Sequence, residues 1–453
     1  MSSEAVANSN NMLFSNRDLR KLIIPLVIEQ FLTSSIGMIS VFMVASVGEA
    51  AVSGVSLVDS INLLIIMVFS ALSTGGAVVV SQYLGRRDNE KASEAAKLLL
   101  YFSTVIAIVI TVLCMIFNRQ ILHFVFRDIS NDISVNAQRY FFITAMSYPF
   151  LSIYNSGVAI FRAMGRSRIS MTNSFLMNVI NIALSSLFIR VFGLGVAGAA
   201  YSILISRIFS AFFFFRLLQD DHNPVYIHRM FKPEMNIQMT KRILGIGIPS
   251  GLENSIFHLG KLLVAGLITS FGDVATSASA IMNSLMVIAC LPSMSIGLAL
   301  MTVVGQCVGA GDYNAATYYT KKLTIIATIG MIIVNGLMIV FMNPLVGVFN
   351  LTAETEALTI HVMTRYCVFA AFLNFLAFNF PNALRAAGDV RFTMVISIAT
   401  MFLCRILMAY VIGRHMGLGL MGVWYAGFLD WIVRTIIFVA RFAGGKWKTM
   451  KVI

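Results

Sequence analysis

Twelve apolar runs, each close to the roughly 20 residues that carry an α-helix across a hydrocarbon core, leave this chain little choice but to fold in a membrane. They lie near 22–46, 55–80, 95–117, 139–160, 170–192, 195–218, 241–270, 280–304, 322–342, 362–384, 392–413 and 418–441. The joins before the sixth and the twelfth run are short and rest on Gly193, Gly195, Gly413 and Gly417. Of 453 residues 58% are hydrophobic and 12% charged, where a soluble domain carries about a quarter charged; the mean hydropathy is +0.84. The expected fold class is an all-α polytopic membrane protein of twelve transmembrane helices.

Basic residues set the orientation. Arg17, Arg20 and Lys21 precede the first run, Arg86, Arg87 and Lys91 follow the second, and Arg162, Arg166 and Arg168 follow the fourth. Lys241, Arg242, Lys321, Lys322, Arg385, Arg391, Arg441 and Lys446 continue on the same side, while the opposite loops hold Glu49, Asp132, Asp273, Glu354 and Glu356 with few cations. Cytoplasmic loops carry the excess of Lys and Arg, so both termini are expected in the cytoplasm. The net charge of +13 then reflects topology and contact with the anionic lipid bilayer, and it gives no reason to expect a nucleic-acid partner. Residues 1–16 lack the pattern of a signal peptide. Cys114, Cys290, Cys307, Cys367 and Cys404 have no metal-ligand spacing and read as small packing residues.

The chain also repeats itself. VVSQYLGRRDNEKA at 79–92 aligns without a gap on VVGQCVGAGDYNAA at 303–316, an offset of 224. The same offset carries Ile24, Pro25 and Glu29 onto Ile248, Pro249 and Glu253, and GLGVAGAAY at 193–201 onto GLGLMGVWY at 417–425; FRAMGRSR at 161–168 matches LRAAGDVR at 384–391. Two six-helix lobes result: residues 1–223, whose first 20 or so form a tail, and 241–453, joined by a cytoplasmic linker at 224–240. Because the offset spans an even number of helices, the lobes share one topology and form a parallel repeat, an arrangement found in alternating-access carriers.

The paired Q-x-x-G-x-x-D turns (Gln82, Gly85, Asp88; Gln306, Gly309, Asp312), the LRAAGD turn and I-P-x-x-x-E at the start of both halves resemble the multidrug and toxic compound extrusion family, of prokaryotic type, from about Leu22 to Phe442. The resemblance implies a V-shaped pair of lobes and export of a small organic compound, cationic or amphipathic, in exchange for Na⁺ or H⁺. It also implies a bacterial inner membrane location, coupling acids inside the lobes and no cofactor. In prokaryotic members an Asp of the first helix falls at Ser40 here and one of the fifth helix at Ser185, while a tenth-helix acid of another branch falls at Asn374. Those three carboxylates are absent.

Four acids nevertheless lie within the spans, Glu29, Asp59, Glu253 and Asp430, where a charge at the bilayer centre costs roughly 2.5 to 3.5 kcal/mol on translocon scales. Asp430 has Arg434 four residues on, a local pair that reads as structural. Glu29 reads as structural or as part of an inner gate. Asp59, with Asn62 one turn later, reads either as an ion ligand or as a cap at the first turn of its helix. Glu253 has the strongest claim to coupling, because its helix adds His258 and Lys261; the rival for it is a buried strut to a Lys or Arg. The expected cation-coupling set is Glu253, Glu29 and Asp59, with Asn283 and Asn374 as neutral oxygen ligands. The expected substrate lining is Ser40, Asn181, Ser185, His258 and Lys261 with Met38, Met177, Met282, Phe257 and Tyr148, since thioethers and rings repack around unlike ligands.

No metal spacing, catalytic triad or phosphate-binding glycine loop is present, so the reading is a monomeric carrier and not an enzyme. The alternative is a flippase or exporter of an anionic lipid-linked or metabolite substrate on the same two lobes. For it, Arg207, Lys261, Arg365, Arg405 and Arg434 could meet a headgroup. Single cysteines placed at Asp88 and Asp312 are expected to resist membrane-impermeant thiol reagents applied from outside, and those at Glu49 and Glu354 to react. Outside labelling at position 88 would invert the topology.

Overall fold

The computed structural model describes residues 13–45, 47–126, 130–228 and 236–453, with the side chains at 35–42, 45 and 49 outside that set. Part of the expected linker, 229–235, and most of the expected tail therefore lie outside the described residues. The protein is all-α. In chain order its long helices are α1 Asn16–Ala45, α2 Glu49–Gly85, α3 Asn89–Ile116, α4 Asn131–Met146 continued by Tyr148–Ala163, α5 Ser167–Val191, and α6 Gly195–Leu217. The second six are α7 Ile237–Thr269, α8 Asp273–Ala289 continued by Leu291–Gly309, α9 Tyr313–Val340, α10 Ala353–Ala386, α11 Val390–His415 and α12 Gly419–Ala443. Among the described residues nine helices pass on length and composition as membrane spans; α1, α4 and α7 complete the twelve. Each expected run lies within the matching helix or overhangs its end by one residue, or by two at the end of α9. Most helices run several residues beyond the run because their ends turn polar while the backbone ladder continues.

The repeat motifs explain their own turns. Asp88 caps α3, its Oδ1 accepting from the Lys91 amide at 3.1 Å, and Asp312 caps α9 through the Ala315 amide at 2.8 Å. That amide bond, and the Lys91 side chain beside it, hold the Asp88 carboxyl below the usual carboxylate range. In the other motif Gly165 and Gly388 take φ +75° and +98°, the left-handed conformation that a glycine adopts freely at a helix end. The irregular stretches also repeat. Hydrogen bonding widens to the π pattern over Leu187–Val191 and again over Ala409–His415. The break of α4 at Ser147 has its counterpart in a π-helical stretch of α10, Ala370–Asn379.

By packing, the chain divides into two units, residues 28–251 and residues 1–27 with 252–453. The core of the first gathers Val58, Phe69, Tyr140, Phe141 and Tyr148. That of the second gathers Met282, Met331, Met363, Tyr366, Phe428 and Trp431. The divisions fall inside α1 and α7, so each of these helices contributes to both units. Phe14, just before α1, meets Tyr319 of α9 edge to face at 5.9 Å, and the Tyr319 hydroxyl donates to the Phe14 carbonyl at 2.6 Å. The first turns of α7 lie against α2: a Cβ on Gly75 would overlap the Ile243 carbonyl oxygen, and one on Gly247 would stand 3.1 Å from that of Ala71.

This contact is backbone against backbone, with no flexible atom to yield. Gly75→Ala should therefore lower the melting temperature of the detergent-solubilised protein, at a cost of about 1 to 3 kcal/mol. Gly245→Ala, where nothing lies within 4 Å of the added carbon, should be neutral or mildly stabilising, because Ala is the better helix former.

Candidate functional site

Two carboxylate–arginine pairs occupy matching places in the two halves. In the first unit Glu29 of α1 is 2% exposed, and its Oε1 accepts from Arg162 Nη2 at 2.8 Å and from Ser174 Oγ at 3.2 Å. In the second unit Glu253 of α7 is 7% exposed and accepts from Arg385 Nη2 at 2.5 Å, while Arg385 Nη1 donates to Asn382 Oδ1 at 2.6 Å. Both acids follow a proline by four residues, and both arginines open the R-A-x-G turn. Asp430 of α12 is likewise held, by Arg434 Nε at 2.7 Å, with Arg405 Nη1 at 3.5 Å.

The fourth acid is different. Asp59 Oδ1 accepts from Asn62 Nδ2 at 3.1 Å and from the Tyr140 hydroxyl at 3.2 Å, and the Tyr148 hydroxyl donates to Asn62 Oδ1 at 2.7 Å. Among the described residues Asp59 takes part in no ion pair. Arg207 of α6, which acts on it at longer range, donates instead to Ser147 Oγ at 2.6 Å, at the break of α4. The reading of Asp59 as a helix cap fails here: α2 begins at Glu49, ten residues earlier, which puts Asp59 about 15 Å into the helix at about 1.5 Å per residue.

The other expected residues separate into groups. Asn181 and Ser185 of α5 face serines of α6, with Asn181 Nδ2 3.5 Å from Ser206 Oγ and Ser185 Oγ 2.5 Å from Ser202 Oγ. Phe257, His258 and Lys261 lie together on α7, and the Phe257 ring has the guanidinium carbons of Arg405 and Arg434 at 5.4 and 5.5 Å. Asn374 is buried in the π stretch of α10. Asn283 is exposed and Met177 half-buried. Met282, fully buried in the core of the second unit, packs there and lines nothing open. Tyr148 is also buried and reaches the candidate ion site only through Asn62. The side chains of Met38 and Ser40 lie outside the described residues.

Two features escape the sequence reading. Tyr140 is not among the expected residues, although two tyrosines eight residues apart within one span, Tyr140 and Tyr148, are a visible signal. The partners of Glu29 and Glu253 are not among them either, although the acids repeat at 224 and the arginines at 223.

The MatE family model matches residues 25–187 and again 249–411, two segments starting 224 residues apart. The chain belongs to the MatE family. Its members are membrane transporters, not enzymes, and the family is one of multidrug efflux. The chain is 25% identical over 431 residues to "Uncharacterized transporter YisQ" of Bacillus subtilis, covering 93% of each chain. It is 24% identical over 448 residues to "Probable multidrug resistance protein NorM" of Thermotoga maritima, covering 96% of this chain and 94% of that one. An outward-facing multidrug resistance MATE family transporter superposes on this MatE chain with a TM-score of 0.89 at 20% identity, over 96% of each chain.

The carboxylate–arginine pairs make a direct stability prediction for this MatE protein. Glu253→Gln and Arg385→Gln should each cost roughly 3 to 5 kcal/mol, because each leaves one buried charge unpaired. Combining them should recover most of the loss. Thermal melts of the four proteins in detergent form the double-mutant cycle, and additive losses would show that the pair is not coupled.

Proposed function

We propose that this MatE protein is a secondary active antiporter that exports small organic compounds in exchange for H⁺ or Na⁺, with Asp59, and not Glu253, as the carboxylate that takes the ion. One observation carries the assignment. Of the four acids in the spans, Asp59 alone is held by neutral donors among the described residues; the other three are locked on arginines at 2.8 Å or less. A carboxylate on a guanidinium must break an ion pair before it can accept a proton or a cation, whereas Asp59 need only rearrange hydrogen bonds with Asn62 and Tyr140. Carboxylate and amide oxygens together also suit Na⁺.

In this reading Glu29 and Glu253 are struts, and the lobes 1–223 and 241–453 are the bodies that exchange access. The protein works as a monomer in a bacterial inner membrane with both termini in the cytoplasm. The names of relatives such as NorM support export of organic compounds. Binding of the ion at Asp59 drives transport only if it favours one state of the carrier over the other, since equal affinity for both shifts nothing.

The test uses proteoliposomes with an H⁺ or a Na⁺ gradient imposed separately, and two reporters, cationic ethidium and anionic carboxyfluorescein. Asp59→Asn should fold with an unchanged melting temperature and lose gradient-driven accumulation of whichever dye is carried by roughly tenfold or more, because the charge-assisted ligand is gone. Glu253→Gln, compared per folded molecule, should keep its response. A normal gradient response in Asp59→Asn would refute the assignment.

A further inference from the structure

The second unit holds more cations inside its spans than acids to balance them. Arg385 has Glu253, and Arg441 at the end of α12 has Asp389 at 2.7 Å. Apart from Lys322 and Arg365, which hydrogen-bond Asn16 and His361, that leaves Lys261, Arg405 and Arg434 with one carboxylate, Asp430. Arg434 uses it most fully, with Nε on Asp430 Oδ1 at 2.7 Å and Nη2 donating to the Ser397 carbonyl at 2.8 Å. Arg405 stands farther off at 3.5 Å; its side chain is 11% exposed and its Nη1 has no hydrogen-bond partner. Lys261 has neither an ion pair nor a hydrogen bond among the described residues, and it follows by one helical turn Phe257, whose ring has the Arg405 guanidinium carbon at 5.4 Å. Asn254, His258 and Lys261 recur at the spacing that places them along one face of α7.

An uncompensated lysine and a partly satisfied arginine that repel each other are costly in a membrane span, and ionisable groups kept there mark ligand pathways. An anion bound by both would remove the repulsion and fill the open donors. We propose that Lys261 and Arg405 form a subsite for the carboxylate or phosphate group of an amphipathic compound carried by the protein. The inference names a substrate class and rests on the antiporter reading only for the steps after binding. Phosphate on a lipid headgroup and an acid group on a soluble compound share this chemistry, and the experiment separates them.

Carboxyfluorescein binding to the purified protein is measured by fluorescence polarisation, for wild type, Lys261→Met, Lys261→Gln and Lys261→Arg, each first shown to be monodisperse with an unaltered melting temperature. In a second arm the protein in nanodiscs is titrated with phosphatidic acid against phosphatidylcholine. The expected result is salt-sensitive binding of the anionic dye, weakened about tenfold or more in both neutral variants and largely kept in Lys261→Arg, as for a charge-assisted contact. Lys261-dependent binding of phosphatidic acid alone would support the subsite with a lipid headgroup as its occupant. Equal affinities in wild type and the neutral variants, or no binding in either arm, would overturn it. Gradient-driven ethidium export without Lys261-dependent anion binding sinks the subsite and leaves the Asp59 reading standing; the reverse pattern sinks the Asp59 reading and leaves the subsite.

Discussion

A carboxylate in hydrocarbon must be neutralised, and in this protein arginine does most of that work. The Glu29–Arg162 pair ties α1 to α4, and the Glu253–Arg385 pair ties α7 to α10. In each half the tie joins a helix whose ladder is interrupted by a proline, Pro25 or Pro249, to one whose ladder is interrupted at Ser147 or over Ala370–Asn379. Helices with broken hydrogen bonding are the ones most able to change shape. A strong, geometrically demanding ion pair between two of them limits where that change can occur, and it leaves the parts beyond the tie free to move.

Much of this architecture was legible beforehand, and the residues show why. Span positions come from hydropathy alone because a lipid-embedded helix cannot be polar for long, and the 224-residue offset read from short motifs recurs in the two family matches. Position along a helix was legible; direction around it was not. Glu253 looked like a free acid because Lys261, on its own helix, was the nearest basic residue in sequence, while its partner sits 132 residues away. Asp59 looked shallow because the hydropathy of α2 rises only after its first turns, although the helix starts at Glu49. In both cases distance along the chain stood in for three-dimensional contact.

The duplicated scaffold has diverged in charge more than in shape. At the offset of 224, Asn181 and Ser206 correspond to Arg405 and Asp430. Both couples sit at the same kind of helix contact with the same 3.5 Å separation, one neutral and one ionic. Asp59 corresponds to Asn283, and Lys261 to Gly37. The unpaired acid thus belongs to one half and the surplus cations to the other, a division that the repeat alone would not foretell.

The sharing of α1 and α7 between the two packing units bears on the order of biosynthesis. Phe14 and Asn16 leave the ribosome early, yet their partners Tyr319 and Lys322 emerge some three hundred residues later. The unit of residues 28–251 must likewise wait for the first turns of α7, whose Ile243 and Gly247 close against Gly75 and Ala71. Domain-by-domain folding during synthesis is therefore open to residues 28–251 only once the chain has passed residue 251, while residues 1–27 pack with partners made in the second half. A nascent chain arrested between the two halves would expose two incomplete surfaces at once, which makes that interval of translation the one most in need of the insertion machinery.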